Sequence, residues 1–423
     1  MLHPSSPSIA ILNLLGDYSF NAYNFGLAEG LGKQGIDVDL YTCGDESMLA
    51  ELPATLFHKR LNVMGAFLFR QRASAAPAPS EPPVSSPAPV PGANTWSVKS
   101  ILRKPWIKLR PHLMTHELLW QLRKSGRTIL WTQWPDMDPY LENFWDWAHR
   151  YGFILVHTVH NVLPHEVHPG DRERMEKVYE KADLLWVHSQ QSQQLLLQEF
   201  PQLDPQKIAI YPIGLYSMFK RLPEKRESVR QELSISPNQP MLLACGLIRP
   251  YKNLDSVLTA IAAPEFAETV LTIAGRESGF PDSDRSDPLR RTRQAVERLG
   301  ITGRVRLIPR FLSNDDLSAL FEAADALLLP YKEGYGSGQL VMGMTFEKHL
   351  LTTPIGGSEE YLMHYPNHTM VQEPDPEHLR TALRSMLPRI HPAPAPPVSD
   401  LTALHWDTVG GRIKEILASR FPA

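Results

Sequence analysis

A loop rich in small residues follows a short apolar segment in the second half of the chain. Residues 326–329, with the sequence ALLL, predict a strand buried on both faces of a parallel sheet. The loop after this strand holds Glu333, Gly336, Ser337 and Gly338. Residues 339–346 then predict a helix, whose dipole and free backbone N–H groups would point at the loop and bind an anion. An ordinary strand–helix turn, in which glycine only supplies a permissive backbone, is the alternative interpretation.

Two cations follow an earlier strand of the same half. The strand begins at Met241, and the sequence GLIRPYK places Arg249 and Lys252 in the loop after it. Because ligands bind at the carboxyl ends of the strands in an open α/β sheet, we expect both cations to face the glycine-rich loop. Arginine offers a forked donor and lysine a point charge, so the pair can hold a diphosphate. Gly275 ends the next predicted strand at this edge, and two ordinary exposed surface cations are the alternative.

Polar residues also follow the predicted strands of the first half. His160 and Asn161 come directly after the apolar strand 153–159, so we expect His160 to project into a cleft. There it would orient an acceptor hydroxyl or contact a donor sugar, whereas a purely structural histidine is the alternative. Further candidates for the acceptor side are Asp17, Tyr18, Asn21 and His165.

The histidines of the run 160–168 do not predict a metal site. Their spacing is not that of HExxH, and Pro164 breaks the helix on which such a site depends. No other divalent-metal cluster appears in the sequence, so we expect no metal and no other cofactor.

Alternating strands and helices position these candidates. The first half predicts strands near residues 9–15, 36–41, 128–131, 153–159, 184–188 and 208–211, with a loop over 16–26 that lacks GxGxxG. The strand–helix alternation restarts at Met241, so we predict two doubly wound parallel-sheet domains of the α/β class joined by a hinge near residues 212–220. A last helix, 406–420, carries an apolar stripe that needs a surface to cover it.

Composition narrows the functional classes. The 423 residues are 43% apolar and 21% charged, which is typical of globular domains, and a net charge of −3 gives no reason to expect nucleic acid as a partner. The two cysteines, Cys43 and Cys245, have no paired spacing. No apolar run is long enough to span a bilayer, and the N-terminal apolar segment reads as a first strand. We therefore expect a cytoplasmic location.

Two neighbouring segments interrupt the first half. Residues 73–95 are rich in proline, alanine and serine and predict a disordered tether. In residues 97–113, five lysines and arginines alternate with Trp106 and aliphatic residues. This composition suits peripheral binding to an anionic membrane on its inner face, and a solvated helix face is the alternative.

Several segments together resemble one enzyme family. GLIRPYKNLD, LTIAG, LSALFEAADALLLPY and EGYGSG are similar to the C-terminal half of retaining glycosyltransferases of family 4, which have the GT-B fold. ADLLWVHSQQ and KIAIYPIGLY are similar to the end of that family's N-terminal domain. The resemblance implies two Rossmann-like domains facing each other across a cleft. The N-terminal domain, 1–214, would bind the acceptor, 215–402 would bind the nucleotide sugar, and 403–423 would cross back to the first domain.

The resemblance also implies roles for individual residues. Arg249 and Lys252 match the family's diphosphate-binding pair, and Glu333 matches the first glutamate of its E-x7-E motif, which faces the donor sugar. The second glutamate, which usually contacts the nucleotide ribose, is replaced by Val341. Glu360 is a substitute candidate on the ribose side; a helix-start glutamate behind Ser358 is the alternative.

The implied reaction transfers a hexose from a nucleoside-diphosphate sugar to a glycan or lipid-linked acceptor, in polysaccharide or glycolipid biosynthesis. Protein cations and N–H groups would stabilise the departing diphosphate in place of a metal ion. Two other functions fit the same architecture. A nucleotide-sugar epimerase would need acid–base residues at the sugar, and a catalytically degenerate partner subunit would agree with Val341.

Overall fold

The computed structural model describes residues 7–13, 21–42, 58–60, 115–133, 143–164, 167–276, 287–334, 336–363, 365–390 and 400–422. Asp17, Tyr18 and His165 lie outside these ranges, as do segments 73–95 and 97–113. Of Asn21, only the backbone is described.

A parallel sheet forms the centre of the first domain. Its strands are β1 (Ser8–Asn13), β2 (Asp37–Thr42), β3 (His58–Arg60), β4 (Ile129–Thr132), β5 (Ile154–Thr158), β6 (Leu184–Val187) and β7 (Ile208–Ile210). Their order is β3-β2-β1-β4-β5-β6-β7, so the chain reverses its direction of winding between β1 and β4. Every residue of β4 and β6 is buried, as expected for apolar strands covered on both faces.

Helices cover both faces of this sheet. In chain order they are α1 (Asn21–Lys33), α2 over residues 115–124, α3 (Phe144–Arg150), α4 (Asp171–Lys181) and α5 (Gln190–Glu199). The sequence predicted a loop as far as Gly26, and that prediction is wrong because α1 already begins at Asn21. Tyr23 and Phe25 are buried in its first turns, so packing stabilises the helix there.

The second domain repeats the architecture. Strands β8 (Met241–Cys245), β9 (Val270–Ala274), β10 (Val305–Ile308), β11 (Ala326–Leu329), β12 (His349–Thr352) and β13 (His368–Met370) pair in the order β10-β9-β8-β11-β12-β13. All of these pairs are parallel. The winding reverses between β8 and β11, which is the position where open α/β sheets bind ligands. The loops after these two strands are the ones that carry the predicted phosphate-binding residues.

The helices of the second domain are α6 (Arg226–Glu232), α7 (Leu254–Ile261), α8 (Pro288–Arg298), α9 (Asn314–Ala323), α10 (Gly338–Thr345), α11 (Ser358–Leu362) and α12 (Pro376–Ile390). Ser313 begins α9 with a capping box, in which its side chain and that of Asp316 each accept a backbone N–H. The connection from β7 to α6 contains the predicted hinge.

The last helix, α13 (Trp406–Arg420), packs against α1 of the first domain. The indole ring of Trp406 packs against Gly26 and Gly214, where a β-carbon would collide with the ring, and a β-carbon on Gly30 would collide with the backbone carbonyl of Trp406. One turn later, Gly410 approaches the backbone of Gly30. One buried apolar cluster therefore runs from Tyr23 and Trp406 into the core of the second domain.

No helix among the described residues is both long enough and apolar enough to cross a bilayer.

Candidate functional site

A cavity of about 200 Å³ opens where the two domains meet at the carboxyl ends of the second sheet. The first domain contributes Ala22, and the connection between the domains contributes Tyr216, Met218 and Phe219. The second domain supplies Cys245, Gly246, Leu247, Gly275, Arg276, Arg310, Phe311, Leu312, Asn314, Leu317, Gly338, Gln339 and Met342. The wall is mainly apolar, with a small number of polar groups, as in most small-molecule sites.

Two glycines form the floor of the cavity. Gly246 and Gly275 follow β8 and β9 with φ angles of +93° and +138°, a region that favours glycine. A β-carbon on Gly275 would collide with the carbonyl oxygen of Gly246. The absence of side chains lets a ligand approach the backbone. Gly275 thus lines the cavity, as its predicted role requires.

Lys252 lies beneath this floor. The short 3₁₀ turn Pro250–Lys252 directs the side chain inward, where it is 6% exposed and its Nζ donates to the carbonyl oxygen of Cys245 at 2.5 Å. A β-carbon on Gly246 would lie 2.8 Å from the same Nζ. Burial lowers the pKa of Lys252 to about 8, because the charged form loses hydration. The ammonium group is therefore a donor held close to the cavity but behind Gly246.

Arg249 is half-buried and does not line the cavity. Its Nε is buried and has no hydrogen-bond partner within the described chain. Burial is the main cause of the lowered pKa of Lys252, and the positive charge of Arg249 repels the protonated lysine and lowers that pKa further. An anion between the two cations would relieve this repulsion.

The predicted phosphate loop leads into α10. Gly338 is the first residue of the helix and lines the cavity, while Ser337 caps the helix by accepting the N–H of Leu340 at 3.1 Å. Gly336 precedes the cap and is half-buried. Glu333 is exposed at the start of the loop and does not line the cavity, so the described conformation does not bring its carboxylate to the other candidates.

Helix α10 turns Gln339 and Met342 toward the cavity and Val341 away from it. Val341 is fully buried in the apolar core that contains Leu340 and Met344. A carboxylate at this position would be buried without water, so valine agrees with the observed packing. Gln339 is a site residue that the sequence reasoning missed, because only the rotation of α10 shows which of its side chains face the cavity.

His160 belongs to a chain of polar contacts in the first domain. Its Nε2 lies 3.0 Å from Oε1 of Gln133, and its Nδ1 lies 3.4 Å from Nε2 of His188. Nδ1 of His188 lies 3.2 Å from the carbonyl oxygen of Tyr211. Burial, together with His188 and His157, holds the pKa of His160 well below its ordinary value. His160 is therefore a neutral imidazole at pH 7 and does not line the described cavity.

Asn161 is half-buried beside His160, and its carbonyl oxygen accepts the hydroxyl of Tyr179 at 3.1 Å. This bond fixes the backbone after β5. Asn21, the first residue of α1, stands one position before Ala22 of the cavity wall.

Glu360 faces the first domain in the described structure, and its role on the ribose side stays a prediction. Its carboxylate does not face the cavity but crosses to the first domain, where it accepts the backbone N–H groups of Gln190 at 2.9 Å and Gln191 at 3.1 Å. These N–H groups begin α5, and the first N–H groups of a helix have no partner inside it. The carboxylate thus satisfies the start of a helix across the domain interface.

The described residues contain one group of side chains close enough to share a metal ion, Glu373, Asp375 and His378. Asp375 accepts the N–H groups of Glu377 and His378 at the start of α12, and its side chain also contacts the imidazole of His378. The group lies outside the cavity and serves as a helix cap.

The arrangement of two parallel-sheet domains around a cleft is the GT-B fold. Solved structures share it across almost the whole chain. HepE of Anabaena was solved with UDP and glucose. Its superposition covers 98% of this chain and 95% of the HepE chain, with a TM-score of 0.64 and 15% sequence identity. The glycosyltransferase WaaG, described as involved in lipopolysaccharide biosynthesis, covers 97% and 95% with a TM-score of 0.57 at 18% identity.

The second domain also matches a sequence family. Residues 225–389 fit the model of the family described as glycosyl transferases group 1. Lipopolysaccharide glucosyltransferase WaaG of Escherichia coli is 31% identical over 198 residues, which are 45% of this chain and 49% of the relative. GDP-mannose:glycolipid 4-beta-D-mannosyltransferase of Xanthomonas campestris is 24% identical over 259 residues, 61% and 66% of the two chains. The chain thus spans about half the length of the first of these relatives.

Proposed function

We propose that the protein is a glycosyltransferase that moves a hexose from a nucleoside-diphosphate sugar to a glycan or lipid-linked acceptor. The observation that carries the proposal is the cavity at the β8–β11 reversal, where bare glycine backbone, the start of α10 and the Nζ of Lys252 converge. These groups suit a diphosphate, since backbone donors and a cation stabilise negative charge. The same region carries the match to glycosyl transferases group 1.

The reaction separates charge along the bond between the sugar and the diphosphate. The diphosphate gains negative charge and the sugar ring gains positive charge as this bond breaks. Lys252, Arg249 and the N–H groups at residues 336–338 would stabilise the departing diphosphate as donors that are already in place. No divalent metal ion is part of the proposed mechanism. After a movement of its exposed loop, Glu333 would accept hydrogen bonds from hydroxyl groups of the donor sugar.

Transfer with retention of the anomeric configuration, as in family 4, is part of the proposal. The acceptor hydroxyl would attack from the face that the diphosphate leaves, and the leaving phosphate would take its proton. His160 would then orient the acceptor through its neutral imidazole. The acceptor side of the cleft would also include Asp17, Tyr18, Asn21, Asn161 and His165.

A lipid-linked acceptor, in glycolipid or polysaccharide biosynthesis, agrees with the names of two relatives, a lipopolysaccharide glucosyltransferase and a glycolipid mannosyltransferase. We place the protein in the cytoplasm, with peripheral binding to an anionic inner membrane surface through residues 97–113. The basic and aromatic composition of that segment supports this location.

A thermal-shift panel of UDP-, GDP-, ADP- and dTDP-sugars tests the proposal directly. A ligand that binds the native state raises the melting temperature by mass action, so one nucleotide series should stabilise the protein. The stabilising sugar would then be incubated with glycolipid and glycan acceptors, and product formation followed by mass spectrometry. If no member of the panel raises the melting temperature at millimolar concentration, the proposed function is wrong.

A further inference from the structure

The segment between the domains runs along α10 and contacts both of its ends. The backbone N–H of Tyr216 donates to Oγ1 of Thr345, in the last turn of the helix, at 3.1 Å. The side chain then extends to the first residue, where a β-carbon on Gly338 would lie 2.7 Å from the tyrosine hydroxyl. Any larger residue at position 338 would displace the phenol ring. The hydroxyl is therefore held over the N-terminus of α10.

This hydroxyl faces the cavity and has a hydrogen to donate. Tyr216 lines the cavity together with Gly338 and Gln339. Within the described ranges, no hydrogen bond satisfies the hydroxyl of Tyr216, although its backbone N–H is bonded. A phenol so close to a helix start, yet without a protein acceptor, is placed to donate to a ligand.

The ring is held in position by its neighbours. Phe219 packs edge-on against it, with ring centroids 6.1 Å apart and an interplanar angle of 65°. Burial raises the pKa of Tyr216 above its ordinary value, so the hydroxyl stays protonated throughout the neutral and mildly alkaline range. The donor is thus oriented before any ligand arrives, which limits the entropy lost on binding.

We propose that the hydroxyl of Tyr216 donates a hydrogen bond to the diphosphate of the bound nucleotide at the start of α10. This inference rests on the proposed function and adds a donor to which the sequence analysis assigned no role. The diphosphate would lie between Tyr216 on the side of the inter-domain segment and Lys252 behind the glycine floor. Because Tyr216 belongs to the connection between the domains, the same bond would fix that connection whenever a nucleotide is bound.

Isothermal titration calorimetry on the full chain tests the proposal with Tyr216→Phe, which removes only the hydroxyl. The probes are the nucleoside diphosphate of the base selected by the thermal-shift panel and the corresponding nucleoside. We expect the dissociation constant of the diphosphate to rise about tenfold, the usual effect of losing one hydrogen bond to a charged group. The nucleoside lacks phosphates. If the lost bond is to phosphate alone, the affinity of Tyr216→Phe for the nucleoside should stay within about twofold of that of the parent.

Tyr151→Phe is the matched control, because it removes a tyrosine hydroxyl that bonds His116 in the first domain, away from the cavity. It should leave both affinities unchanged. Equal affinity of Tyr216→Phe and the parent for the diphosphate would overturn the inference while leaving the proposed function intact. Equal losses for diphosphate and nucleoside would also overturn it, because they indicate general damage to the pocket. If the parent binds no nucleoside diphosphate, both proposals are wrong.

Discussion

Glu360 of the second domain accepts a hydrogen bond from Gln191 of the first domain across the interface between them. The carboxylate of Glu360 accepts the backbone N–H of Gln191 at 3.1 Å, and the side-chain oxygen of Gln191 accepts the N–H of Gly357, three residues before Glu360. Tyr361 strengthens the same contact, since its hydroxyl accepts the N–H of Ile213 at 2.7 Å. The starts of α5 and α11 are thereby held together next to the inter-domain connection.

Removing this contact should open the cleft. Glu360→Ala leaves the N–H groups of Gln190 and Gln191 without an acceptor, so we expect a larger radius of gyration in the free protein by small-angle X-ray scattering. A bound donor should reduce the radius again by closing the domains. Glu359→Ala is the control, because it removes an exposed carboxylate one position away. Identical radii for the two variants and the parent, with and without donor, would contradict a hinge that depends on Glu360.

The affinity for nucleoside diphosphates should fall as pH rises above about 8, the pKa of Lys252 in the free protein. A bound diphosphate favours the charged lysine and raises its pKa, so binding is strongest when Lys252 is already protonated. Above pH 8 the complex must take up a proton, and the affinity should decline by up to about tenfold per pH unit. The thiol of Cys245, whose pKa burial raises to about 11, does not titrate in this window.

Calorimetry between pH 7 and pH 9 measures this change, and buffers of different ionisation enthalpy report the proton uptake. Lys252→Met should bind more weakly at pH 7 and lose the decline above pH 8. A constant affinity of the parent across this pH range would show that the charge of Lys252 does not contribute to binding of the diphosphate.

Packing of α13 against α1 should depend on Gly30 but not on Gly32, which lies two residues further along α1. A β-carbon at Gly30 would collide with the backbone of Trp406, whereas one at Gly32 would meet no atom within 4 Å. We expect Gly30→Ala to lower the free energy of unfolding by about 1–3 kcal/mol, the usual cost of overpacking. Gly32→Ala should stabilise slightly, because alanine favours a helix. Urea denaturation of both variants makes the comparison, and equal midpoints would indicate that α13 is not tightly packed.

Glu333→Gln tests the proposed contact to the donor sugar. The exposed position of Glu333 predicts little effect on folding, so the melting temperature should be unchanged. The free nucleoside diphosphate should bind as before, because the contact involves only the sugar. Turnover with the full nucleotide sugar should fall at least about tenfold if one charge-assisted hydrogen bond is lost in the transition state. Turnover equal to that of the parent would remove Glu333 from the site.

Binding to anionic vesicles tests residues 97–113. The parent should sediment with vesicles that contain phosphatidylglycerol at low salt and dissociate as salt screens the attraction over about 10 Å at 0.1 M. The double variant Lys104→Glu, Lys108→Glu should bind more weakly, while Arg290→Glu, at an exposed position in the second domain, should not. If the parent protein does not bind these vesicles at low salt, a membrane role for residues 97–113 is contradicted.

The sequence by itself determined the fold class and the edge of the sheet at which the cavity lies. Apolar runs such as 326–329 could be predicted as buried strands, because their length and hydrophobic pattern are local properties of the chain. The strand–helix alternation then permits few topologies, and the two parallel sheets confirm the prediction. The loops of Arg249 and of Gly338 therefore lie at the predicted edge, and Gly275 lies on the cavity wall.

Only the tertiary structure decided which side chains face the cavity and which face other parts of the protein. Lys252 turns inward under Gly246, and Glu360 is drawn to the start of a helix in the other domain. Tyr216 and Gln339 line the cavity although the sequence gave neither of them a role in a site. The rotation of α10 and the path of the inter-domain segment depend on contacts between residues more than 100 positions apart, and no local pattern in the sequence records such contacts.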